Sequence, residues 1–149
     1  MKELIIARKE EQRVLQSLKN ENTAQFLAVY GRRRVGKTFL IREFFEDSFS
    51  FKHTALSPLE LKDINPDALY KAQLAEFKKS LVRYGHNNDN PIADWFEAFD
   101  RLRELIESKR TRERAIVFID EMPWLDTPRA GFISALEHFW NDYGSGKHN

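Results

Sequence analysis

Apolar positions along the chain fall into two alternating patterns. One is a stripe at the 3.6-residue spacing of helices, the other a short unbroken run of the kind buried strands show. After Asn65, the residues Tyr70, Leu74, Phe77, Leu81 and Tyr84 form a stripe that ends at Gly85. After Asn90, a second stripe holds Ile92, Trp95, Phe96, Phe99, Leu102, Leu105 and Ile106. After Thr127, a third holds Phe132, Ile133, Leu136, Phe139, Trp140 and Tyr143 and runs into Gly144. Val14, Leu15 and Leu18 mark a shorter helix near the N-terminus, and Phe39, Leu40, Ile41, Phe44 and Phe45 mark another. Four of the five prolines follow Ser57, Asn65, Asn90 and Thr127. A capping side chain followed by proline at the first helical position is a helix-start signal, so the last three pairs predict helix starts.

The unbroken runs are short. Phe26 to Tyr30 is stopped by Gly31, and the β-branched Ala115 to Ile119 is stopped by Asp120. Phe49 to Ala55 alternates more loosely and is a third candidate strand. Short apolar strands separated by helices predict an α/β fold with a parallel sheet covered on both faces. The polar stretch from Arg83 to Pro91 is expected to be a mobile loop between two helices rather than a domain boundary, because neither side could build a sheet alone.

At 149 residues the chain is the size of one domain, and its 42% hydrophobic and 13% aromatic content suffices for a core. The 24 Lys and Arg against 23 Asp and Glu leave a net charge of +1, which removes the bulk argument for a broad nucleic-acid face. Cysteine is absent, which excludes disulfides, zinc-thiolate sites and thiol catalysis. The four histidines, His53, His86, His138 and His148, lie far apart and show no metal-ligand spacing. No apolar run approaches the ~20 residues that cross a bilayer, and the start of the chain does not read as a signal peptide. A cytoplasmic protein with no membrane contact is the expectation.

The chemistry sits directly after the first strand, in Gly31-Arg32-Arg33-Arg34-Val35-Gly36-Lys37-Thr38. Two glycines bracketing four residues and followed by Lys-Thr form the Walker A pattern. Gly31 and Gly36 let the backbone wrap a phosphate without a clashing Cβ, so that several N–H groups point inward. The helix opening at Lys37 adds its free N–H groups and the positive end of its dipole. Lys37 places a charge between the β- and γ-phosphates, and Thr38 offers its hydroxyl to Mg²⁺. The predicted nucleotide-contacting set is Gly31, Arg34, Val35, Gly36, Lys37, Thr38 and Phe39. At the loop positions the backbone rather than the arginine side chains does the phosphate work. With glycine near 7% of residues, the pattern alone arises by accident in roughly one chain in a few hundred. A strand before it and an amphipathic helix after it make accident rarer.

The other half of such a site is an acid ending a second buried strand. Ala115-Ile116-Val117-Phe118-Ile119-Asp120-Glu121 supplies it. Asp120 would hold water on the magnesium, and Glu121 would polarise an attacking water as general base. An Asp-Glu pair after a strand is more often a cap or a solvated turn; beside a P-loop the balance reverses. The pair also argues for water as acceptor, against a P-loop kinase. Trp124 is read as a packing aromatic sooner than as a partner contact. The stretch Lys109-Arg110-Thr111-Arg112-Glu113-Arg114 raises nucleic acid as a partner of a nucleotide-gated module, although a solvated helix end explains it equally well.

The motif residues Tyr30 to Thr38, together with Phe118-Ile119-Asp120-Glu121-Met122-Pro123-Trp124-Leu125, resemble a family of archaeal and bacterial AAA-type, STAND-related P-loop ATPases. Arg8-Lys9-Glu10-Glu11 is similar to that family's Arg-x-x-Glu box, where the chain approaches the adenine, which makes Arg8 a further binding residue. The resemblance implies ATP with Mg²⁺ as ligands and an ATPase or ATP-dependent switch as function; the residues themselves, which hold no guanine-reading Asn/Thr-Lys-x-Asp motif, leave ATP and GTP both open. It also implies that residues 1–149 form a three-layer P-loop NTPase domain cut short on its C-terminal side. The sensor strand, which in the family lies between the P-loop and Walker B strands, and the lid would be missing. Very slow or absent hydrolysis follows, and self-association through the incomplete sheet, with a monomer carrying a low-affinity site as the plainer rival.

Overall fold

The computed structural model describes residues 9–27, 36–57, 64–109 and 114–146. Helix α1 spans Lys9–Lys19 and α2 spans Lys37–Phe44, followed by strand β1 at Phe51–Thr54. Two longer helices come next, α3 at Pro66–Arg83 and α4 at Trp95–Ser108. Strand β2 at Val117–Asp120 leads into a 3₁₀ turn at Met122–Leu125, and α5 covers Phe132–Asp142.

The two strands pair in parallel, with Phe51 opposite Val117 and Thr54 opposite Asp120. The period-two alternation of β2 then sends neighbouring side chains to opposite faces. Phe118 packs with Phe45 and Phe49 on a cluster of Leu15, Leu40, Ile41 and Phe44, which docks α1 and α2. Ile119 packs on the larger cluster formed with α3, α4 and α5. The chain is therefore α/β, a small parallel sheet flanked by helices. Of the predicted strand at Phe26 to Tyr30, Phe26 and Leu27 lie outside any strand, and the rest falls outside the described residues.

The larger core is a run of aromatic rings. Phe51 lies 5.2 Å from Phe77 between centroids, Phe77 lies 5.2 Å from Trp95, and Trp95 lies 5.0 Å from Phe132, the last two pairs edge to face. Each of these rings is fully buried, so truncating Phe77 to alanine costs about 3–5 kcal/mol.

Of the three predicted helix starts, one holds. The Asn65 side chain accepts from Ala68 N–H, with Pro66 at the first helical position. The other two helices begin later, for identifiable reasons. At α4 the cap is Asp94, which accepts from Glu97 N–H, while the Glu97 carboxylate reaches back to Ala93 N–H at 2.7 Å. Asn90 is instead held in the preceding loop, where the buried Arg101 guanidinium takes the carbonyls of Asn88, Asn90 and Pro91. At α5, Thr127-Pro128 starts a turn closed by Ala130 N–H on Thr127 O. Arg129 and Gly131 both adopt left-handed backbone there, so the helix starts at Phe132.

The expected mobility of the Arg83–Pro91 loop is also corrected. His86 is buried and bonds Glu104 at 2.8 Å, Lys78 takes the Asp89 carbonyl, and Arg101 clamps three further positions. Polar composition made the loop look loose, but His86 and the carbonyls of Asn88, Asp89, Asn90 and Pro91 are held by tertiary bonds.

Candidate nucleotide site

Helix α2 starts where the Walker A pattern requires. Gly36, its N-cap, has φ 87° and ψ 18°, a left-handed conformation that glycine adopts without penalty. Gly36 O accepts from Leu40 N–H at 2.8 Å, which sets the first turn. Leu40, Ile41 and Phe44 are buried and anchor the helix, so Lys37 and Thr38 are presented from a fixed first turn.

Asp120 stands at the end of β2. Its carbonyl accepts from Ala55 N–H, which pins the strand end to β1. Its Oδ2 accepts from the Thr38 hydroxyl at 2.6 Å, and its Oδ1 accepts from Glu121 N–H at 2.9 Å. The Thr38–Asp120 bond joins residues 82 positions apart and puts the two sequence motifs in one half-buried place. A hydroxyl and a carboxylate are oxygen donors of the kind a hard cation such as magnesium takes.

Glu121 follows with φ 57° and ψ 39°. Left-handed backbone at a residue with a Cβ costs about 1–3 kcal/mol and persists only where neighbours over-determine it. Here Glu121 O accepts from Trp124 N–H, and Leu125 is fully buried immediately after, so the turn is held from both sides. Trp124 is partly buried against the main core, in agreement with the packing reading. Phe39 is 50% exposed, beside the buried Leu40 and Ile41. Arg8, Gly31, Arg34 and Val35 lie outside the described residues, so nothing is added about their contacts. At the two described ends of the basic stretch, Lys109 donates to Ser50 O, and Arg114 donates to Glu21 O and Thr23 O. Both cations thus serve intrachain bonds.

A buried polar residue that the pattern reading passed over also acts here. Gln73 of α3 accepts from Leu56 N–H and donates to Leu56 O, both at 3.0 Å, and reaches Trp124 O at 3.4 Å. It ties the segment leaving β1 to the turn that carries Glu121. The available signal was a polar residue adjoining Leu74 and one turn from Phe77 on an otherwise apolar stripe. Among the described residues no group of three or more His, Cys, Asp or Glu side chains is placed to hold a metal ion.

Over 44 residues, 30% of this chain and 75% of the relative, the sequence is 50% identical to an uncharacterized ATP-binding protein of Methanocaldococcus jannaschii. No solved structure matches. Residues 6–148 match a family described as an ATPase domain predominantly from Archaea, and the chain belongs to that family.

Proposed function

We propose that this chain is a P-loop domain that binds Mg-ATP, in a three-layer fold of the AAA-type, STAND-related kind. The observation that carries the reading is the 2.6 Å bond from Thr38 to Asp120. Two motifs recognised separately in sequence meet at hydrogen-bond distance, as a shared cation site demands. Membership of an ATPase-domain family and the ATP-binding relative support the same ligand.

Each residue then has a chemical task. The backbone from Gly31 through Gly36, with Arg34, Val35 and Phe39 around it, would cradle the phosphates, and Arg8 would approach the adenine. Lys37 neutralises charge between the β- and γ-phosphates. Thr38 and Asp120 would hold magnesium, which would supply positive charge to offset that of the phosphates. Such a site needs no cluster of three acidic or imidazole ligands, because phosphate oxygens and water complete the shell. Glu121 would accept a proton from an attacking water. Hydrolysis by this chain is proposed to be slow.

Self-association through the sheet is proposed on one observation. β2 leaves Val117 37% exposed and its other residues half-buried, unlike a strand closed on both edges. No helix among the described residues is long and apolar enough to cross a membrane, and a cysteine-free ATP-using domain suits the cytoplasm.

The test is a thermal melt with and without Mg-ATP, coupled to a mass measurement in solution. Mg-ATP is expected to stabilise the protein by about 1–3 kcal/mol through linkage, and Lys37→Ala should abolish that gain. Equal stabilisation of the Lys37→Ala variant would overturn the assignment.

A further inference from the structure

In a parallel ladder, successive residues of a strand direct their backbone groups to alternate sides. Phe51 N–H donates to Ile116 O and Ala55 N–H to Asp120 O, so residues 51, 53 and 55 turn their main chain toward β2. The N–H and C=O groups of Lys52 and Thr54 therefore point to the other edge of β1, which no described strand pairs. Against that edge lies a cleft of about 290 Å³, lined by Lys52, Thr54, Ser80, Arg83 and Tyr84.

The charge of this cleft has one sign. Lys52 and Arg83 come from different elements, and neither makes an ion pair among the described residues. A third cation stands beside it, with Lys109 Nζ 5.2 Å from the centre of the Tyr84 ring. Glu76, one turn before Ser80, is paired with Lys79. The last carbonyls of α3 are satisfied as well, Ser80 O by Tyr84 N–H, Leu81 O by His86 N–H and Val82 O by Gly85 N–H. The Ser80 hydroxyl is engaged by His53. What the cleft offers a visitor is thus open strand backbone and two cationic side chains.

We infer that the β1 edge and its cleft bind an extended acidic peptide segment of a partner protein, which adds to the sheet as a strand and sets carboxylates against Lys52 and Arg83. Backbone pairing supplies the affinity and the cations supply the selection, which is the division of labour in strand-addition recognition. A single edge lysine merely discourages pairing with neutral or basic strands. A second cation contributed by α3 converts that deterrent into a preference for acidic ones. The inference is independent of nucleotide binding, because none of these residues belongs to the proposed ATP site.

The experiment follows fluorescence anisotropy of a labelled, end-blocked peptide of about six residues alternating Glu and Val, titrated with the full chain at about 50 mM and at about 0.5 M salt. Saturable binding is expected at low salt, weakened at least about tenfold by the double variant Lys52→Glu, Arg83→Glu. Two peptide-side controls use the unaltered protein, so a variant that fails to fold leaves the test intact. A Gln-for-Glu peptide should bind at least about tenfold more weakly, and so should a peptide of unchanged charge with alternate amides N-methylated. Equal binding of the N-methylated peptide, or equal competition by polyphosphate per unit charge, would reduce the cleft to a patch of positive charge and overturn strand addition. Absence of binding at low salt would overturn the inference outright.

Discussion

His53 makes acid stability a sharp test of how the sheet meets α3. It is 1% exposed, with Nδ1 2.7 Å from Ser80 Oγ and no partner for Nε2 among the described residues. The ring stacks on Phe51 and meets Phe77 edge to face at 5.0 Å. Burial lowers its pKa from 6.5 to about 4, against the attraction of Glu76 and helped by repulsion from Arg83. Because the folded state resists the proton and the unfolded chain accepts it, the unfolded state binds more protons between those two values. Stability therefore rises with pH across that window, is whole above about pH 6.5, and has lost the full contribution below about pH 4. At about 1.4 kcal/mol per pH unit, the interval corresponds to about 3 kcal/mol. His53→Gln keeps a hydrogen-bonding partner for Ser80 and removes the titration. Urea unfolding of both proteins from pH 7.5 down to 4 should show the wild type losing about 3 kcal/mol more than the variant. Carboxylates that also titrate in this range cancel between the two. If both proteins lose stability in parallel, His53 is protonated without penalty and the described packing around it is wrong.

Three further outcomes follow from named contacts. Glu121→Gly should leave stability equal or raise it by about 1 kcal/mol, since glycine takes left-handed backbone freely, while eliminating any ATP turnover; calorimetry and phosphate release check the two halves. Thr38→Ala removes the donor to Asp120 and should cost about 1 kcal/mol without nucleotide, then abolish the extra stabilisation that magnesium adds to ATP, whereas Thr38→Ser should restore both. Arg101→Met leaves three loop carbonyls and Glu97 without their partner and should cost about 2–4 kcal/mol. The Glu97 pKa, held low first by Ala93 N–H and then by Arg101, should move upward in that variant when followed by NMR.

Much of this architecture could be read from spacing. The stripes on α3, α4 and α5 place Leu74, Phe77, Trp95, Phe99, Leu102 and Phe132 in the core, because a helix period is a property of the residues themselves. Asp120 was legible as a strand-ending acid, and its meeting with Thr38 follows once β2 is placed beside α2. Helix boundaries read less well. Asn-Pro and Thr-Pro are compatible with a helix start and with a turn, and the choice was made outside the dipeptide, by the Arg101 side chain in one case and by the left-handed backbone of Arg129 and Gly131 just downstream in the other. His53, Gln73 and Arg101 were passed over for the same reason. Each is a polar side chain whose task is to satisfy backbone or hydroxyl groups brought close only by folding, which no local pattern encodes.

One of these overlooked polar residues, Gln73, helps explain how a strained catalytic candidate can be tolerated. Glu121 holds a backbone conformation that a free turn would abandon, and four separate ties oppose its relaxation. Asp120 receives both the Thr38 hydroxyl and the Glu121 N–H, so rotating the peptide at Glu121 would disturb the carboxylate that faces α2. Trp124 N–H closes the turn on Glu121 O, and Gln73 grips Trp124 O while fixing both backbone groups of Leu56 across the sheet. Leu125, fully buried, anchors the far side. Strain of about 1–3 kcal/mol spread over several bonds of about 1 kcal/mol each is sustainable only while those bonds act together. On this reasoning Gln73 is a positioning residue for Glu121. Its removal would release the turn that holds the proposed base without touching either motif.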